Sequence, residues 1–347
     1  MTESFAGLLD VERLEAWIDD RLGGAGERFD VRRISTGASN EIFELRRAGH
    51  RWVLRRPAPS SRAPENLMRE VRLLTALDVT DVPHPQVVVA CDDVGVVGAP
   101  FYVMEFVDGF TPTRDLPAPY DVDDAARRRL GLELIDALAS LGAVDWNAVG
   151  LDGFGRPDGF LERQVARWLG FDASSRTRTL DDLDVVAAWL EEHRPAPKTA
   201  AIMHGDYQFA NVMFRHGTPA RLAAIIDWEQ STIGDPLVDL GWLLVLWDEP
   251  GEMPIRGTGE ERVSALPGFP TRAELAERYA QRSERDLGDL GWYEVFALFK
   301  LALVLEGAYA RFVSGRSDNP AHARLERMVP ALLASAARLV GSGGRPR

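Results

Sequence analysis

Cysteine is almost missing from this chain. Its 347 residues include a single one, Cys91, so an intramolecular disulfide is impossible. A reducing, cytoplasmic setting is therefore the simpler expectation. The sequence also lacks the basic start, apolar centre and cleavage site of a signal peptide, because its opening residues MTESFAGLLD are acidic and amphipathic.

A long uncharged apolar run is missing as well. The most apolar stretch, residues 295–313, carries Lys300, Glu306 and Arg311, which indicates a buried helix and no membrane residence. Positive charge is also in short supply, since the formal net charge is −13 at pH 7. Nucleic-acid binding needs clustered Lys and Arg to neutralise phosphates, so no nucleic-acid partner is expected. A cationic or metal-bound ligand suits this charge better, and nothing in the pattern indicates an oligomeric state.

The first 107 residues have the pattern of a small antiparallel sheet with one main helix. After a helix over residues 11–22, strands are predicted in FDVRRIS, NEIFELRRAG and HRWVLRRP, which are separated by TGAS and AGH. In the next helix, Leu67, Val71, Leu74 and Leu77 share one face. Two further strands are predicted in QVVVACDD and APFYVMEFV.

A change of composition marks a domain boundary after residue 107. The segment FVDGFTPTRDLPAPYD is rich in Pro, Gly and Asp, and the pattern from 108 to 347 is mostly helical. Its first long helix has Leu130, Leu134, Leu138 and Leu141 on one stripe. Later helices are predicted over residues 160–170, 182–193, 236–247, 271–283, 290–313 and 320–340, with a capping box at Thr271 and Glu274. One hairpin interrupts them, with strands NVMF and LAAIID joined by RHGTPAR.

The hairpin carries the strongest chemical pattern. Asp206 lies just upstream, Asn211 opens the first strand, and Asp227 closes the second. A hairpin of this length brings the start of its first strand near the end of its second, so Asn211 and Asp227 are expected to face one site. An amide oxygen and a carboxylate suit Mg²⁺, which binds few protein ligands beside phosphate and water oxygens. Asp206 is expected to reach this site and accept the proton of a substrate hydroxyl during phosphoryl transfer.

The motifs around these residues resemble those of a known family. HGDYQFANVMF, IIDWE and GDPLVDLGW look like the aminoglycoside phosphotransferase and choline kinase branch of the protein-kinase-like folds, especially the kinase-like domains associated with acyl-CoA dehydrogenases. Protein kinases carry HRD and DFG where this chain has HGD and DWE, and GDP at 234–236 leaves no activation segment ending in APE. The resemblance covers nearly the whole chain. It implies a two-lobed α+β fold, with a nucleotide-binding N-lobe over 1–107, a catalytic and acceptor-binding C-lobe over 108–347, and a small-molecule acceptor.

The resemblance also assigns the nucleotide site. It places Gly37, Ser39 and Asn40 in the loop that covers the phosphates. Arg55 stands where the family's usual lysine lies, although the adjacent Arg56 leaves this register open by one residue, and Glu70 matches the helix glutamate that holds the cation. A guanidinium is able to bridge carboxylate and phosphate.

The segment FYVMEFVDG resembles the family's hinge between lobes. Backbone groups of Glu105 and Val107 are expected to hold an adenine edge, with Met104 against the base. In GDPLVDLGW, Asp235 is expected to cap the following helix and to tie it to the loop that carries Asp206, and Asp239 is likewise assigned to structure.

The implied activity is the ATP- or GTP-dependent, Mg²⁺-requiring transfer of a γ-phosphoryl group to a small-molecule hydroxyl. Aminoglycoside-like, hydroxyacyl and other alcohols remain candidate acceptors. Residues 160–170 and 249–270 are expected to shape the choice. One alternative is a catalytically inactive kinase-like binding protein, which Arg55 in place of lysine favours. Another is a metal-dependent phosphohydrolase with Asp206 as nucleophile, but the sequence lacks the closely paired aspartates of such a site.

Overall fold

The computed structural model describes residues 8–343 except for 20, 23, 25, 37–39, 60–65, 114, 174–175 and 251–262. The chain divides into two compact units. The first contains Met1–Gly109, Asn147–Leu151 and Ala223–Glu229, and the second contains Phe110–Trp146, Asp152–Leu222 and Gln230–Arg347. Two short segments from the later part of the chain thus cluster with the N-terminal residues.

The first unit is built on a five-stranded antiparallel sheet. In chain order its elements are α1 (Val11–Ile18), β1 (Asp30–Thr36), β2 (Asn40–Arg47), β3 (His50–Pro57), α2 (Asn66–Leu77), β4 (Val87–Cys91), α3 (Val94–Val97) and β5 (Phe101–Glu105). The strand order is β1-β2-β3-β5-β4, so β5 lies between β3 and β4. The five strands and the main helix predicted from the sequence are confirmed, whereas the single turn α3 is too short to show a period.

Strand β3 is buried on both of its faces, and this positions the cationic residue of the site. Leu54 belongs to the apolar cluster of this unit, together with Phe43 and Phe101. Side chains alternate along a strand, so the neighbouring Arg55 points to the opposite face, where it is also buried. Helix α2 buries Leu67, Leu73, Leu74, Leu77 and Glu70. The predicted stripe is therefore confirmed for its leucines, while Val71 is half-buried.

The second unit is mainly helical. Its elements are α4 (Asp124–Ala143), α5 (Gln164–Ala173), α6 (Leu183–Glu192), β6 (Ala201–Met203), β7 (Val212–Phe214), β8 (Leu222–Ile225), β9 (Thr232–Gly234), α7 (Leu237–Val245), α8 (Arg272–Ser283), α9 (Leu290–Val313) and α10 (Leu325–Gly341). Only the first residue of β8 belongs to this unit. Both predicted hairpin strands form, and Arg215 donates its N–H to the Arg221 carbonyl at 2.9 Å within the loop that joins them.

Leucine stripes and caps explain the helices. Leu130, Leu134, Leu138 and Leu141 of α4 are all buried, as their spacing predicts. The capping box that begins α8 is formed by Thr271 and Glu274. Helix α9 buries most of its residues, Lys300 and Glu306 among them, while Arg311 in its last turn is exposed, which confirms it as a buried helix. In the described parts of the chain, every helix is too short or too polar to cross a membrane.

Two short strands were missed by the sequence analysis. β6 pairs antiparallel with β9, in the register Ala201↔Gly234 to Met203↔Thr232. Three residues carry too little alternation by themselves, and β6 and β9, unlike β7, are not joined to a partner strand by a recognisable hairpin loop. They matter for the site because β6 leads directly into HGD, and β9 ends at the glycine of GDP.

Candidate active site

In the first unit, Arg55 is the centre of a charged cluster. Its Nη2 donates to Asp227 Oδ1 at 2.8 Å and lies 3.6 Å from Glu229 Oε2. Its Nε lies 3.4 Å from Glu70 Oε2, an ion-pair contact without hydrogen-bond geometry. Arg56, by contrast, donates to the Val97 carbonyl at 2.9 Å. The register left open by the sequence is thus resolved, because Arg55 is the arginine that meets Glu70.

Burial and opposite charge act against each other in this cluster. Burial works to lower the pKa of Arg55, but Glu70, Tyr102 and Asp227 outweigh it, so the pKa is raised above its ordinary value. Burial raises the pKa of Glu70, and Arg55 opposes that rise. For Tyr102, burial and the neighbouring Glu70 together raise the pKa well above the usual range. Arg55 therefore remains a fixed cation that compensates two carboxylates.

Asp227 has a backbone conformation that residues other than glycine rarely adopt. Its φ is +65°, in the left-handed region that normally costs a non-glycine residue about 1–3 kcal/mol and is tolerated mainly where the surroundings enforce it. The carboxylate is 42% exposed although one oxygen is bound by Arg55. This combination of a strained backbone, a held oxygen and an accessible side chain is typical of a functional residue.

Glu229 was not singled out by the sequence analysis. Its Oε2 accepts from Asn40 Nδ2 at 3.0 Å and lies near Arg55, so it links the start of β2 to the charged cluster. Of the three residues predicted to cover the phosphates, Asn40 is the one that the structure describes, since Gly37 and Ser39 lie outside the described residues. The position of Glu229 two residues after Asp227, in DWE, was its only sequence signal.

The predicted hinge residues have different surroundings. The N–H of Glu105 donates to the Gln86 carbonyl at 3.0 Å, so this donor is already used within the sheet. The side chain of Glu105 is exposed, and Met104 and Val107 are half-buried. Of the backbone groups predicted to contact a base at Glu105, the carbonyl is the one that this hydrogen bond leaves available.

In the second unit, three side chains orient the Asp206 carboxylate. Oδ1 accepts from Gln208 Nε2 and from Trp242 Nε1, both at 2.8 Å. Oδ2 accepts from Asn211 Nδ2 at 2.9 Å, and the same amide nitrogen donates to the Asp206 carbonyl at 2.8 Å. The amide oxygen of Asn211 is therefore directed away from Asp206. Trp242, which the sequence suggested as a core aromatic, is mostly buried but also serves the carboxylate.

Asp239 holds the backbone just before Asp206. Its two carboxylate oxygens accept the N–H groups of His204 at 2.6 Å and of Gly205 at 2.8 Å. Burial raises the pKa of Asp239, while His204 and the backbone donors oppose that rise. His204 is fully buried, and its Nδ1 accepts from the Asp206 N–H at 3.3 Å, which is a supporting position and not that of an exposed base.

The assignment of the brace to Asp235 was partly wrong. Asp235 Oδ1 accepts from the Leu237 N–H at 3.0 Å, which confirms its capping contact at the start of α7. Its Oδ2 accepts from the Tyr293 hydroxyl at 2.7 Å, so its second tie runs to α9. The tie to the loop before Asp206 is made instead by Asp239, which lies within α7, four residues after Asp235.

Gly205 is required by its conformation and by its surroundings. Its φ is +86°, and a Cβ built there would lie 2.5 Å from the Gln230 carbonyl oxygen. Any side chain at position 205 would therefore push two segments apart, the one before Asp206 and the one before β9.

A cavity of about 160 Å³ lies in the second unit beside the Asp206 network. Gln208, which donates to Asp206, is one of its lining residues. The lining is otherwise mostly apolar, with Phe209, Leu243, Leu246 and Trp247 as its larger members. None of the described lining residues has an ionisable side chain. A ligand group held here would meet apolar side chains together with the polar groups of Thr113, Gln208 and Ser264.

Among the described residues, no three or more His, Cys, Asp or Glu side chains come together in a way that could hold an ion. A cation bound by this chain would rely on few protein ligands.

Comparisons with known proteins agree with this geometry. A family model described as the phosphotransferase enzyme family, APH, matches residues 30–292. A crystal structure from Ralstonia eutropha, named for aminoglycoside phosphotransferase, is 31% identical, with a TM-score of 0.80 over 95% of this chain and 99% of that one. The chain is thus a phosphotransferase-type protein of kinase-like fold. It belongs to the APH phosphotransferase family.

Among curated proteins, acyl-CoA dehydrogenase family member 11 of Rattus norvegicus is 30% identical over 319 residues. That alignment covers 89% of this chain but 40% of the relative, so the chain spans less than half the length of the curated relatives that head the comparison. A structure of the aminoglycoside phosphotransferase APH(4)-Ia with AMP-PNP and hygromycin B shares the fold, with a TM-score of 0.59 at 16% identity over 93% of this chain and 98% of that one. The resemblance to this family and the kinase-like fold expected from the sequence are confirmed.

Proposed function

We propose that this protein transfers the γ-phosphoryl group of ATP, or of GTP, to a hydroxyl of a small molecule, with Mg²⁺ as cofactor. The observation that carries the proposal is the Asp206 carboxylate, which three side-chain donors hold in one orientation at the end of a braced loop. Such fixed geometry is what positions a base for proton transfer. Family membership and the AMP-PNP bound by APH(4)-Ia support a nucleotide donor.

In the proposed step, Asp206 accepts the proton of the acceptor hydroxyl. The acceptor oxygen forms a new bond to the γ-phosphorus, and the bond from that phosphorus to the β,γ-bridging oxygen breaks, which leaves ADP. Little covalent chemistry is asked of the protein, so its residues act by orientation and by charge.

The first unit is proposed to hold the nucleotide. Arg55, paired with Glu70, has a permanent positive charge and is proposed to contact the phosphate oxygens. Gly37, Ser39 and Asn40 are proposed to cover the phosphates. The Glu105 carbonyl and backbone groups of Val107 are proposed to meet the base, since the Glu105 N–H is already bonded to Gln86.

Asn211 and Asp227 are proposed to supply oxygens to Mg²⁺. Asn211 uses its amide nitrogen on Asp206, which leaves its oxygen for a cation, and Asp227 keeps an accessible carboxylate. Both are hard oxygen ligands of the kind that Mg²⁺ prefers. When bound, the ion would neutralise charge on the transferred phosphoryl group.

The acceptor is proposed to carry an uncharged, largely apolar portion beside its hydroxyl. The cavity next to Gln208 supports this, because its described lining has aromatic and aliphatic groups and no carboxylate to pair with a polycation. The similarity to relatives named for acyl-CoA dehydrogenase also favours an acceptor with an apolar portion. An aminoglycoside acceptor, suggested by the acidic composition and by the name of a structural neighbour, has no such support from the cavity.

Asp206→Asn tests the proposal. It keeps the shape of the side chain but removes the base, so ADP formation in the presence of MgATP and an acceptor should fall by about 10²- to 10⁴-fold. Nucleotide affinity, measured by calorimetry, should stay unchanged. Asp318→Asn is the matched control, because Asp318 is an exposed carboxylate of the same unit. Full turnover by Asp206→Asn would refute the proposed role.

A panel of acceptors distinguishes the candidate substrates. It would contain straight-chain alcohols and hydroxy acids of increasing length, choline, a hexose and hygromycin B. Turnover should rise with apolar chain length until the cavity is filled, and hygromycin B should be a poor acceptor. Absence of nucleotide binding by the wild type would instead favour the catalytically inactive alternative, with Arg55 as the departure responsible.

A further inference from the structure

Lysine is rare in this chain, and one of its two lysines is buried. Lys198 and Lys300 are the only lysines, and arginine supplies the rest of the 40 basic residues. Lys198 is partly exposed and pairs with Asp289 at 3.1 Å. Lys300 lies inside helix α9 and is 6% exposed. Burying an ammonium costs free energy unless its surroundings compensate the charge, so the contacts of Lys300 indicate its role.

The Lys300 ammonium contacts the backbone that leads into Asp206. Its Nζ donates to the carbonyl of Gly205, the residue before Asp206, at 2.6 Å. It also lies 4.2 Å from the centre of the Trp242 ring and 5.6 Å from that of Trp168. A cation over an indole face is attracted to it, and more strongly where water is excluded.

Trp242 connects this ammonium to the Asp206 side chain. The edge of the indole donates its N–H to Asp206 Oδ1 at 2.8 Å, while the face of the same ring carries the Lys300 charge. Face and edge are used at the same time. Lys300 therefore acts on Asp206 by two routes, one through the Gly205 peptide and one through the Trp242 ring.

We propose that Lys300 is a positioning residue for Asp206. Its ammonium fixes the Gly205 carbonyl and the Trp242 ring together, so that the indole N–H aims the carboxylate at the acceptor hydroxyl. This inference rests on the phosphotransferase function proposed above.

The choice of lysine over arginine fits this role. An ammonium is a compact point charge whose donors can reach a carbonyl while it sits over a ring, whereas a planar guanidinium needs more room and a fork of acceptors. The charged groups that act on Lys300 are Asp206, Asp239 and Arg167. Burial lowers the pKa of Lys300 to about 8, with Arg167 acting in the same direction and the two carboxylates opposing it.

The first test needs no catalytic activity. Protein labelled with ¹³C at the lysine ε-carbon should give two lysine resonances, which Lys198→Met assigns. Titrated from neutral to alkaline pH, the Lys300 signal should shift with a midpoint near 8. Asp206→Asn should lower that midpoint, because it removes a carboxylate that favours the charged form, and Asp318→Asn should not change it. A Lys300 midpoint that ignores Asp206→Asn would overturn the coupling.

The second test is kinetic and uses MgATP with the acceptor of the panel that gives the highest turnover. Lys300→Met and Trp242→Phe should each lower kcat by about 10- to 100-fold, as misplacement of a catalytic group does. KM for ATP should stay within about twofold. The double variant should be no slower than the slower single variant, because both residues act through the same set of contacts to Asp206. Lys198→Met should match the wild type. Multiplied losses in the double variant, or a loss confined to KM, would contradict the proposal.

The pH profile adds a readout that a purely structural role would not move. The kcat of the wild type should fall as pH rises through the Lys300 pKa, and this fall should be absent in Lys300→Met. Should Lys300→Met fail to fold, Trp242→Phe and the lysine titration decide the question. A wild type that forms no ADP would count against the proposed function, whereas the titration would still decide whether Lys300 and Asp206 are coupled.

Discussion

Arg55 donates through Nη2 to Asp227 Oδ1 at 2.8 Å, while its Nε lies 3.4 Å from Glu70 Oε2. One cation therefore compensates a buried carboxylate and an accessible one. A lysine ammonium in its place would have a shorter reach and no fork, so it could not make both contacts equally well. Arginine at this position is thus a working part of the cluster.

Substitutions of Arg55 should separate charge from geometry. Arg55→Met leaves the buried Glu70 without its cationic partner and should lower the free energy of unfolding by about 3–5 kcal/mol. Arg55→Lys keeps the charge and should lower it by less, while weakening ATP binding about tenfold, worth about 1.4 kcal/mol. Urea unfolding and calorimetry measure the two effects.

Arg46→Lys provides the control for this pair. Arg46 lies on the neighbouring strand β2, is about half exposed, and pairs with Glu44 at 2.8 Å. Arg32 and Arg51 hold the same buried Glu44 carboxylate and Arg46 itself is half exposed, so this exchange should change the free energy of unfolding by no more than about 1 kcal/mol. Equal losses for Arg46→Lys and Arg55→Lys would show that the position of Arg55 between two carboxylates has no special value.

Asp239→Asn should be far more harmful than Asp235→Asn. Asp239 faces two backbone N–H groups, and an asparagine turns a donor towards one of them, which leaves a buried group unpaired at a cost of about 1–3 kcal/mol. Asp235 faces one backbone N–H and the Tyr293 hydroxyl. A hydroxyl can rotate to accept from the asparagine amide.

Both aspartates are buried, so thermal unfolding of the two variants compares like with like. Asp239→Asn should also lower kcat, because it releases the loop before Asp206, and Asp235→Asn should leave kcat nearly unchanged. The reverse order of losses would mean that Asp235 is the main brace after all.

Gly205→Ala and Gly217→Ala should separate crowding from backbone strain. Both glycines have nearly the same left-handed φ, +86° and +85°. A Cβ at Gly217 would meet nothing within 4 Å, so its alanine should cost about 1–2 kcal/mol from conformation alone. At Gly205 the 2.5 Å approach to Gln230 adds a clash, so denaturant unfolding should show a clearly larger loss and Asp206 should be displaced.

Much of the architecture was predictable because long periodic segments determine it. The leucine stripes of α2 and α4 and the alternation in β1 to β3 were sufficient to place the elements. Choosing between Arg55 and Arg56 was not possible in this way, because alternation predicts opposite faces without saying which face meets Glu70. The β2–β3 register, with Ile42 opposite Arg55, and the placement of α2 supply that information.

The residues that the sequence analysis missed act through long-range contacts. Trp242 and Lys300 lie 36 and 95 positions from the residues they contact in the Asp206 loop, and both had an ordinary reason to be in a core. The one available signal for Lys300 was a lysine in an apolar helix of a chain that otherwise relies on arginine. Asp239 was found, but its tie was assigned to Asp235, since both fit the same short motif.

Glu294 should make the stability of this protein depend on pH. It is buried in α9, and burial raises its pKa to about 7, with Arg272 opposing that rise. Between the ordinary glutamate pKa of 4.5 and the raised value of about 7, the folded chain binds more protons than the unfolded chain, so the free energy of unfolding decreases as pH rises through this window. At about 1.4 kcal/mol for each pH unit, the loss approaches about 3 kcal/mol.

Glu294→Gln keeps the size of the side chain and removes the charge. It should therefore raise the free energy of unfolding above pH 7, change it little at pH near 4.5, and flatten the dependence between them, which urea titrations at three pH values would measure. Glu306→Gln is the opposing control on the same helix, because Glu306 is buried against Arg178 at 2.8 Å. That variant leaves a cation without its partner and should be destabilising at neutral pH. Equal destabilisation by both variants would mean that Glu294 has a stabilising partner and remains charged in the folded protein.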